Sequence, residues 1–194
     1  LLRDAASGDD LRDAASLTWV NYLSTPAVYS DRSGGVASEF DEPTPTSKRG
    51  ERRLAAERAW IDTFSDTRVS VQIMRIAGIY GPGRSVIEQV AAGRARIIEK
   101  EGQVFNRIHV DDIGTSLIAS MLRPNDKRIY NLADGNPCAS GDVTRYACKL
   151  LQVEPPTPIK FEDAQLSDMA RSFYSECKIL ETSRLRNELL VNLR

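Results

Sequence analysis

The chain has 194 residues, with 26 Lys and Arg against 27 Asp and Glu and a formal net charge of −1. A balance this even offers no field for nucleic acid or an anionic membrane. No apolar run approaches the ~20 residues that would cross a bilayer, so no membrane insertion is expected. Three scattered cysteines, Cys138, Cys148 and Cys177, form no CxxC pair and have only His109 to join them on a metal. Neither disulfides nor zinc are expected, and a reducing intracellular compartment, cytoplasm or organelle stroma, fits that usage.

The length suits one domain able to bury ~70% of its surface. Leu1 is not a start methionine and the opening is no signal peptide, so the sequence is expected to begin mid-protein. A polar, Ala- and Leu-bearing stretch opens it, with a short helix expected over 9–15. Trp19, Val20, Tyr22 and Leu23 then predict a strand over 18–24, with apolar residues on both parities and hence both faces buried in a parallel sheet. Ser24 and Thr25 fall at its carboxyl end, just before Pro26. In open α/β sheets ligands bind outside the carboxyl ends of strands. The two hydroxyls either touch a ligand there or simply end the strand and satisfy loop backbone. Residues 26–45 read as loop, broken by Gly34, Gly35, Pro43 and Pro45.

Thr46 or Ser47 caps a helix expected to run to 62. At 100° per residue, Leu54, Ala56, Trp60, Ile61 and Phe64 form one apolar arc. Arg49, Arg53 and Glu57, spaced i, i+4, i+8, fall inside it. Charges aimed at a core are costly unless paired or used. Two readings stand: Arg53 and Glu57 form a self-contained i,i+4 pair at the arc's margin, or the arginines belong to a site.

Residues 69–79 read as a second strand, with Val71 and Ile73 on one parity with Arg75. Gly78, Gly81, Pro82 and Gly83 end it. A short helix follows over 85–92, where Arg84 and Ser85 either hold an anion or serve as a plain cap. Short strands are expected at 96–98 and 105–109. Val110, Ile113, Leu117, Ile118 and Met121 then mark the inward stripe of a helix, with Asp111 and Asp112 in its first turn. Residues 129–132 read as a strand. A helix over 141–151 is expected to turn Val143, Ala147, Leu150 and Leu151 inward, an extended linker to occupy 154–158, and helices to cover 163–170 and 179–190. His109, the only histidine, reads as a structural residue whose ring bonds the chain at a strand–helix junction. There is no G-x-S-x-G, P-loop or dinucleotide glycine fingerprint.

Several segments carry a likeness when taken in order: Leu23-Ser24-Thr25-Pro26-Ala27-Val28-Tyr29, Met74-Arg75-Ile76-Ala77-Gly78-Ile79-Tyr80-Gly81-Pro82-Gly83, Arg107-Ile108-His109-Val110-Asp111-Asp112-Ile113 and Ile129-Tyr130-Asn131-Leu132-Ala133-Asp134. The series resembles the extended short-chain dehydrogenases of the NAD-dependent epimerase/dehydratase group. Arg84-Ser85 and Met169-Ala170-Arg171-Ser172-Phe173-Tyr174 look like its atypical, YeeZ-like branch.

The resemblance implies an α/β fold: the carboxyl-terminal part of a Rossmann-like, doubly wound parallel sheet plus a small α+β substrate lobe, with the amino-terminal Rossmann half absent. The nucleotide-binding region would be 1–80 with contributions from 107–135, and the lobe 81–106 and 136–194. NAD or NADP would lie against Ser24, Thr25, Arg53, Gly78, Ile79 and Tyr80, its phosphate loop outside this chain. The family's hydroxyl position falls on Thr25. Anchored on Glu57, its acid tyrosine falls on Arg49 and the lysine four residues on falls on Arg53, so the catalytic set Thr25, Arg49, Arg53 is degenerate. Arginine stays protonated and cannot act as a mobile acid. Phe105 stands where nucleotide-sugar epimerases place an arginine, which argues against a nucleotide sugar and leaves the small-molecule substrate unknown. The implied function is an atypical NAD(P)-binding oxidoreductase or epimerase-like protein; the alternative is a catalytically silent subunit of a larger assembly. An exposed sheet edge is expected beside residues 18–24, covered in a homodimer or by a partner chain.

Overall fold

The computed structural model describes residues 17–193; the helix expected at 9–15 lies outside them. The framework is a parallel sheet of three strands, β1 (Trp19–Ser24), β3 (Ser70–Ile76) and β7 (Arg128–Leu132), in the order β1-β3-β7. Parallel neighbours require crossovers. The first is α1 (Lys48–Thr63), capped by Ser47, whose side chain accepts from Gly50 N. The second runs through α3 (Val110–Leu122). Val71 to Arg75 are buried without a break, as suits a central strand covered on both faces.

β1 is an edge strand among the described residues, and there the expectation of two buried faces fails: Leu23 is 43% exposed and the strand is otherwise mostly half-buried. The strand expected over 69–79 is also two strands. Ala77 still donates to Leu132 O, but Gly78 turns to Asn106 O, and β4 (Gly78–Tyr80) pairs with β6 (Arg107–His109) in a separate parallel ladder. The chain changes partner at the glycine.

The loop at 26–45 holds a 3-10 turn, Pro26–Val28, and a two-residue strand, β2 (Val36–Ala37). The partner of β2 is β9 (Ile179–Leu180), inside the stretch expected to be helical; only Ser183–Leu189 forms a helix there, α6. Likewise β5 (Ile98–Glu99) pairs with β8 (Ile159–Lys160). The remaining helices are α2 (Val86–Ala91), α4 (Ser140–Leu151) and α5 (Asp168–Phe173), the last beginning well after the expected 163.

The helix faces also need correction. α3 buries Asp112, Ile113, Ser116, Ala119 and Ser120, while Val110, Ile118 and Met121 are exposed. Its partner is a polar sheet surface: Ser120 receives hydrogen bonds from Trp19 Nε1 (3.2 Å) and Asn21 Nδ2 (3.1 Å) and itself bonds Gln72. Small polar side chains fit that surface better than the aliphatic stripe. On α4, Ala147 is buried, but Leu150 and Leu151 face outward while Gly141, Thr144 and Cys148 go in.

The main core gathers Val28, Tyr29, Leu54, Met74, Ile108, Tyr130, Leu132 and Leu185 around the sheet. A smaller cluster of Ile98, Ala164 and Tyr174, with Phe105 and Phe161 against it, sits with the β5–β8 ladder.

Candidate functional site at the carboxyl end of the sheet

The in-register pair Ser24 and Arg75 marks the end of β1 beside β3. The Thr25 turn and β4 (Gly78–Tyr80) therefore leave the framework at the same end. Pro26 bends the chain into the 3-10 turn, and Thr25 caps it by accepting from Ala27 N at 3.3 Å. A hydroxyl that accepts in this way keeps its proton to donate.

Beneath this turn lies a buried polar chain. Ser24 Oγ donates to Glu57 Oε1 at 2.5 Å. Arg75 grips the same carboxylate with two bonds, Nε to Oε1 at 3.1 Å and Nη2 to Oε2 at 2.6 Å. Burial works against the Arg75 charge, but the Glu57 hydrogen bonds, with Tyr29 and the Glu57 charge, outweigh it and raise its pKa. The guanidinium lies 4.7 Å over the Tyr29 ring, whose hydroxyl donates to Asn131 Oδ1 at 3.0 Å. Asn131 N in turn donates to Glu39 Oε1 at 2.8 Å. Burial pushes both the Tyr29 hydroxyl and the Glu39 carboxyl above their ordinary values. This chain ties β1, α1, β3, β7 and the loop after the 3-10 turn into one rigid floor.

The surface pair Arg53–Glu57 is thereby ruled out, because Glu57 is committed to Arg75 and Ser24. Of the three charged residues read as inward-facing, Glu57 alone is buried. The buried line of α1 runs through Gly50, Leu54 and Glu57, and Arg49 and Arg53 lie exposed to one side of it. Arg53 Nη1 donates to Tyr22 OH (3.0 Å) and Leu23 O (3.4 Å), which pins it over the end of β1. Arg49 stacks on Phe173 of α5, 4.8 Å from the ring centre. Neither arginine has an ion-pair partner among the described residues.

Gly50 explains how closely α1 approaches the turn. A Cβ there would sit 2.2 Å from Ala27 O and 2.8 Å from Pro45 Cβ. On the other flank, Gly78 is exposed and Ile79 and Tyr80 are half-buried. Tyr80 meets His109 edge-on at 5.2 Å. His109 caps α3, its Nδ1 accepting from Asp111 N at 3.2 Å, the structural role read from its position. Arg84 and Ser85 also resolve to a plain cap: Ser85 and Glu88 form a capping box.

The residues missed in the sequence are Gly50, Tyr29, Asn131, Glu39 and Phe173, together with Arg75 as the partner of Glu57. Arg75 carried a signal, a cation in an apolar alternation; the others had none locally. A groove of about 480 Å³ opens elsewhere, lined by Ile98, Phe105, Ser140, Arg145 and Tyr174 among others, and none of Thr25, Arg49 or Arg53 lines it. No metal-binding cluster occurs among the described residues, and no described helix is long and apolar enough to cross a membrane.

Known proteins bear on this geometry. No protein-family profile matches the chain. It is homologous to Protein YeeZ of Escherichia coli K12, 30% identical over 169 residues that cover 87% of this chain and 55% of YeeZ. It is also related to the dTDP-L-rhamnose 4-epimerase of Burkholderia thailandensis, 27% identical over 120 residues, 54% of this chain and 32% of the enzyme. The chain thus spans about half or less of the curated relatives it matches. Among solved structures, a functionally unknown conserved protein from Silicibacter pomeroyi superposes with a TM-score of 0.88 at 44% identity, over 97% of this chain and 66% of that one. MoeE5, solved with UDP-glucuronic acid and NAD, superposes with a TM-score of 0.75 at 23% identity, over 93% and 61%. The fold is therefore the Rossmann-like α/β fold of the epimerase/dehydratase structures, with β1, β3 and β7 as its parallel sheet among the described residues.

Proposed function

We propose that the chain is the carboxyl-terminal part of an NAD(P)-binding oxidoreductase of the epimerase/dehydratase type, in the atypical YeeZ-like branch, whose Tyr-x-x-x-Lys acid pair is replaced by Arg49 and Arg53. The observation that carries this reading is the placement of Thr25, Arg53 and the start of β4 (Gly78–Tyr80) at one end of a parallel sheet, where open α/β sheets bind ligands. Homology to an epimerase and a fold shared with an NAD-bound structure support it.

The residues present fit the nicotinamide end of NAD or NADP. Thr25 keeps a hydroxyl proton, and Arg53 keeps Nε and Nη2 for sugar or carbonyl oxygens. No phosphate loop stands in this sequence, so the dinucleotide phosphates would be held by an amino-terminal half such as the longer relatives have room for. Bound there, NAD(P) supplies the hydride acceptor or donor. Thr25 would hydrogen-bond the reacting oxygen, and Arg49 would polarise a carbonyl without giving up its proton. In this reading residues 1–80 and 107–135 belong to the nucleotide-binding region and 81–106 and 136–194 to a substrate lobe. A strand from the amino-terminal half or from a partner pairs the open edge of β1.

A second reading is favoured by one observation: Arg53 is already engaged by Tyr22 OH and Leu23 O. Such a site could bind without turning over. Protein carrying an amino-terminal half, incubated with NAD(P)H and a panel of carbonyl compounds and followed by NAD(P)H absorbance, separates the two. Consumption that Thr25→Val abolishes supports the oxidoreductase. Binding with no turnover supports the silent subunit, and no binding removes both.

A further inference from the structure

We infer that Arg49 and Arg53, with the Thr25 hydroxyl, form a recognition site for an oxyanion: the substrate or ligand of this site carries a carboxylate or phosphate group. The inference deepens the proposed function and rests on it only for the site's location.

An exposed arginine on a helix can pair with an acid four residues away. Arg53 has one in the sequence, Glu57, but Glu57 is buried and held by Arg75 and Ser24. The buried pair takes away the partner that would neutralise Arg53. Arg53 is left pinned by two neutral oxygens, Tyr22 OH and Leu23 O, which fix the guanidinium without cancelling its charge. Its Nε and Nη2 make no hydrogen bond among the described residues.

Arg49 is oriented as firmly and is as short of acid. The Phe173 ring covers one face of its guanidinium, which leaves the donor edge open. Aromatic stacking holds the plane in place and leaves every N–H available. The backbone beside it is locked, because Gly50 packs against the Ala27 carbonyl in the turn that Thr25 caps.

The site thus joins two cations and a hydroxyl donor, each fixed by a separate contact. On the same helix Arg58 pairs with the loop residue Glu42 at 3.8 Å, and Arg52, exposed like Arg49 and Arg53, lacks among the described residues the side-chain contacts that orient those two. Planar guanidinium forks match carboxylate and phosphate oxygens with two parallel bonds.

Calorimetric titration of the chain with inorganic phosphate and, separately, malonate, at constant ionic strength against chloride, tests this. Saturable binding of at least one probe is expected, weakened tenfold or more in Arg49→Gln and in Arg53→Gln. Arg52→Gln, on an exposed neighbour that no described acid pairs, should bind as wild type. Arg53→Lys, which keeps the charge but loses the fork, should fall between. Circular dichroism of each variant confirms folding, which these exposed positions leave intact. Preference for phosphate or malonate distinguishes a phosphate ester from a carboxylate. No saturable binding to wild type, or equal loss in Arg52→Gln, overturns the inference. NAD(P) titrated into protein that carries an amino-terminal half keeps the two ideas apart: anion binding without NAD(P) binding leaves the oxyanion site and removes the cofactor reading, and the reverse outcome does the opposite.

Discussion

Replacing Glu57 by glutamine probes the floor of the site. The glutamine keeps the shape and one carbonyl oxygen but removes the charge that faces Arg75. The Arg75 side chain is 1% exposed and that of Glu57 is 3% exposed, so water cannot take over. Breaking a buried pair by removing one partner costs about 3–5 kcal/mol, because the remaining charge stays buried and uncompensated. For a chain of this size each kcal/mol lowers the melting temperature by about 2–4 °C, so the expected fall is about 6–20 °C. Were Glu57 paired with Arg53 on the helix surface, the loss would be only about 0.3–0.5 kcal/mol. Urea unfolding and a thermal melt of Glu57→Gln and Arg53→Gln therefore separate the two geometries. The variant at 57 should lose several kcal/mol and the one at 53 almost nothing. Ser24→Ala, which removes one hydrogen bond to the same carboxylate, should lose about 1.5–3 kcal/mol. A Glu57→Gln protein within about 1 kcal/mol of wild type would refute the reasoning. Equal losses at 53 and 57 would refute it as well.

Gly50→Ala should destabilise despite alanine's better helix propensity of about 1 kcal/mol, because its Cβ would lie 2.2 Å from the Ala27 carbonyl. A melting temperature at or above wild type would show that α1 and the turn are not packed this closely. The Glu39 carboxyl gives a pH signature. Burial raises its folded pKa above the unfolded value, so the folded state binds more protons in the window just above the ordinary carboxylate pKa, and stability falls as pH rises through it. Glu39→Gln keeps an acceptor for Asn131 N and should flatten the slope of denaturation free energy against pH in that window; an unchanged slope would contradict the buried placement.

The parts legible in the sequence were those with local causes. The pair Thr46 and Ser47 announced the start of α1 and Pro26 ended the strand of Tyr22 and Leu23, whereas the glycine at 78, read as helping to end the second strand in a loop, only changes its strand partner. The two-residue ladders were not legible. Val36–Ala37 and Ile179–Leu180 form a strand pair only because distant segments meet, and no local breaker sets Ile179 and Leu180 apart from the helix that follows. The buried side of α3 was obscured for the opposite reason: its partner presents Asn21, Gln72 and Trp19, so serines turn inward and Ile118 and Met121 turn out. At the site, helix geometry put Glu57, Arg49 and Arg53 on one side. It could not say that a strand arginine, Arg75, would claim the glutamate and leave the other two facing solvent.

The most direct test of the functional proposal is titration of NAD(P)H, followed by nicotinamide fluorescence, into protein that carries an amino-terminal half, in wild-type, Thr25→Val and Arg53→Gln forms. Saturable binding to wild type, weakened about tenfold by either substitution, is the result expected if the nicotinamide end lies between Thr25, Arg53 and Gly78–Tyr80; this corresponds to about 1.4 kcal/mol. Binding equally tight in all three forms, or absent from wild type, would contradict it.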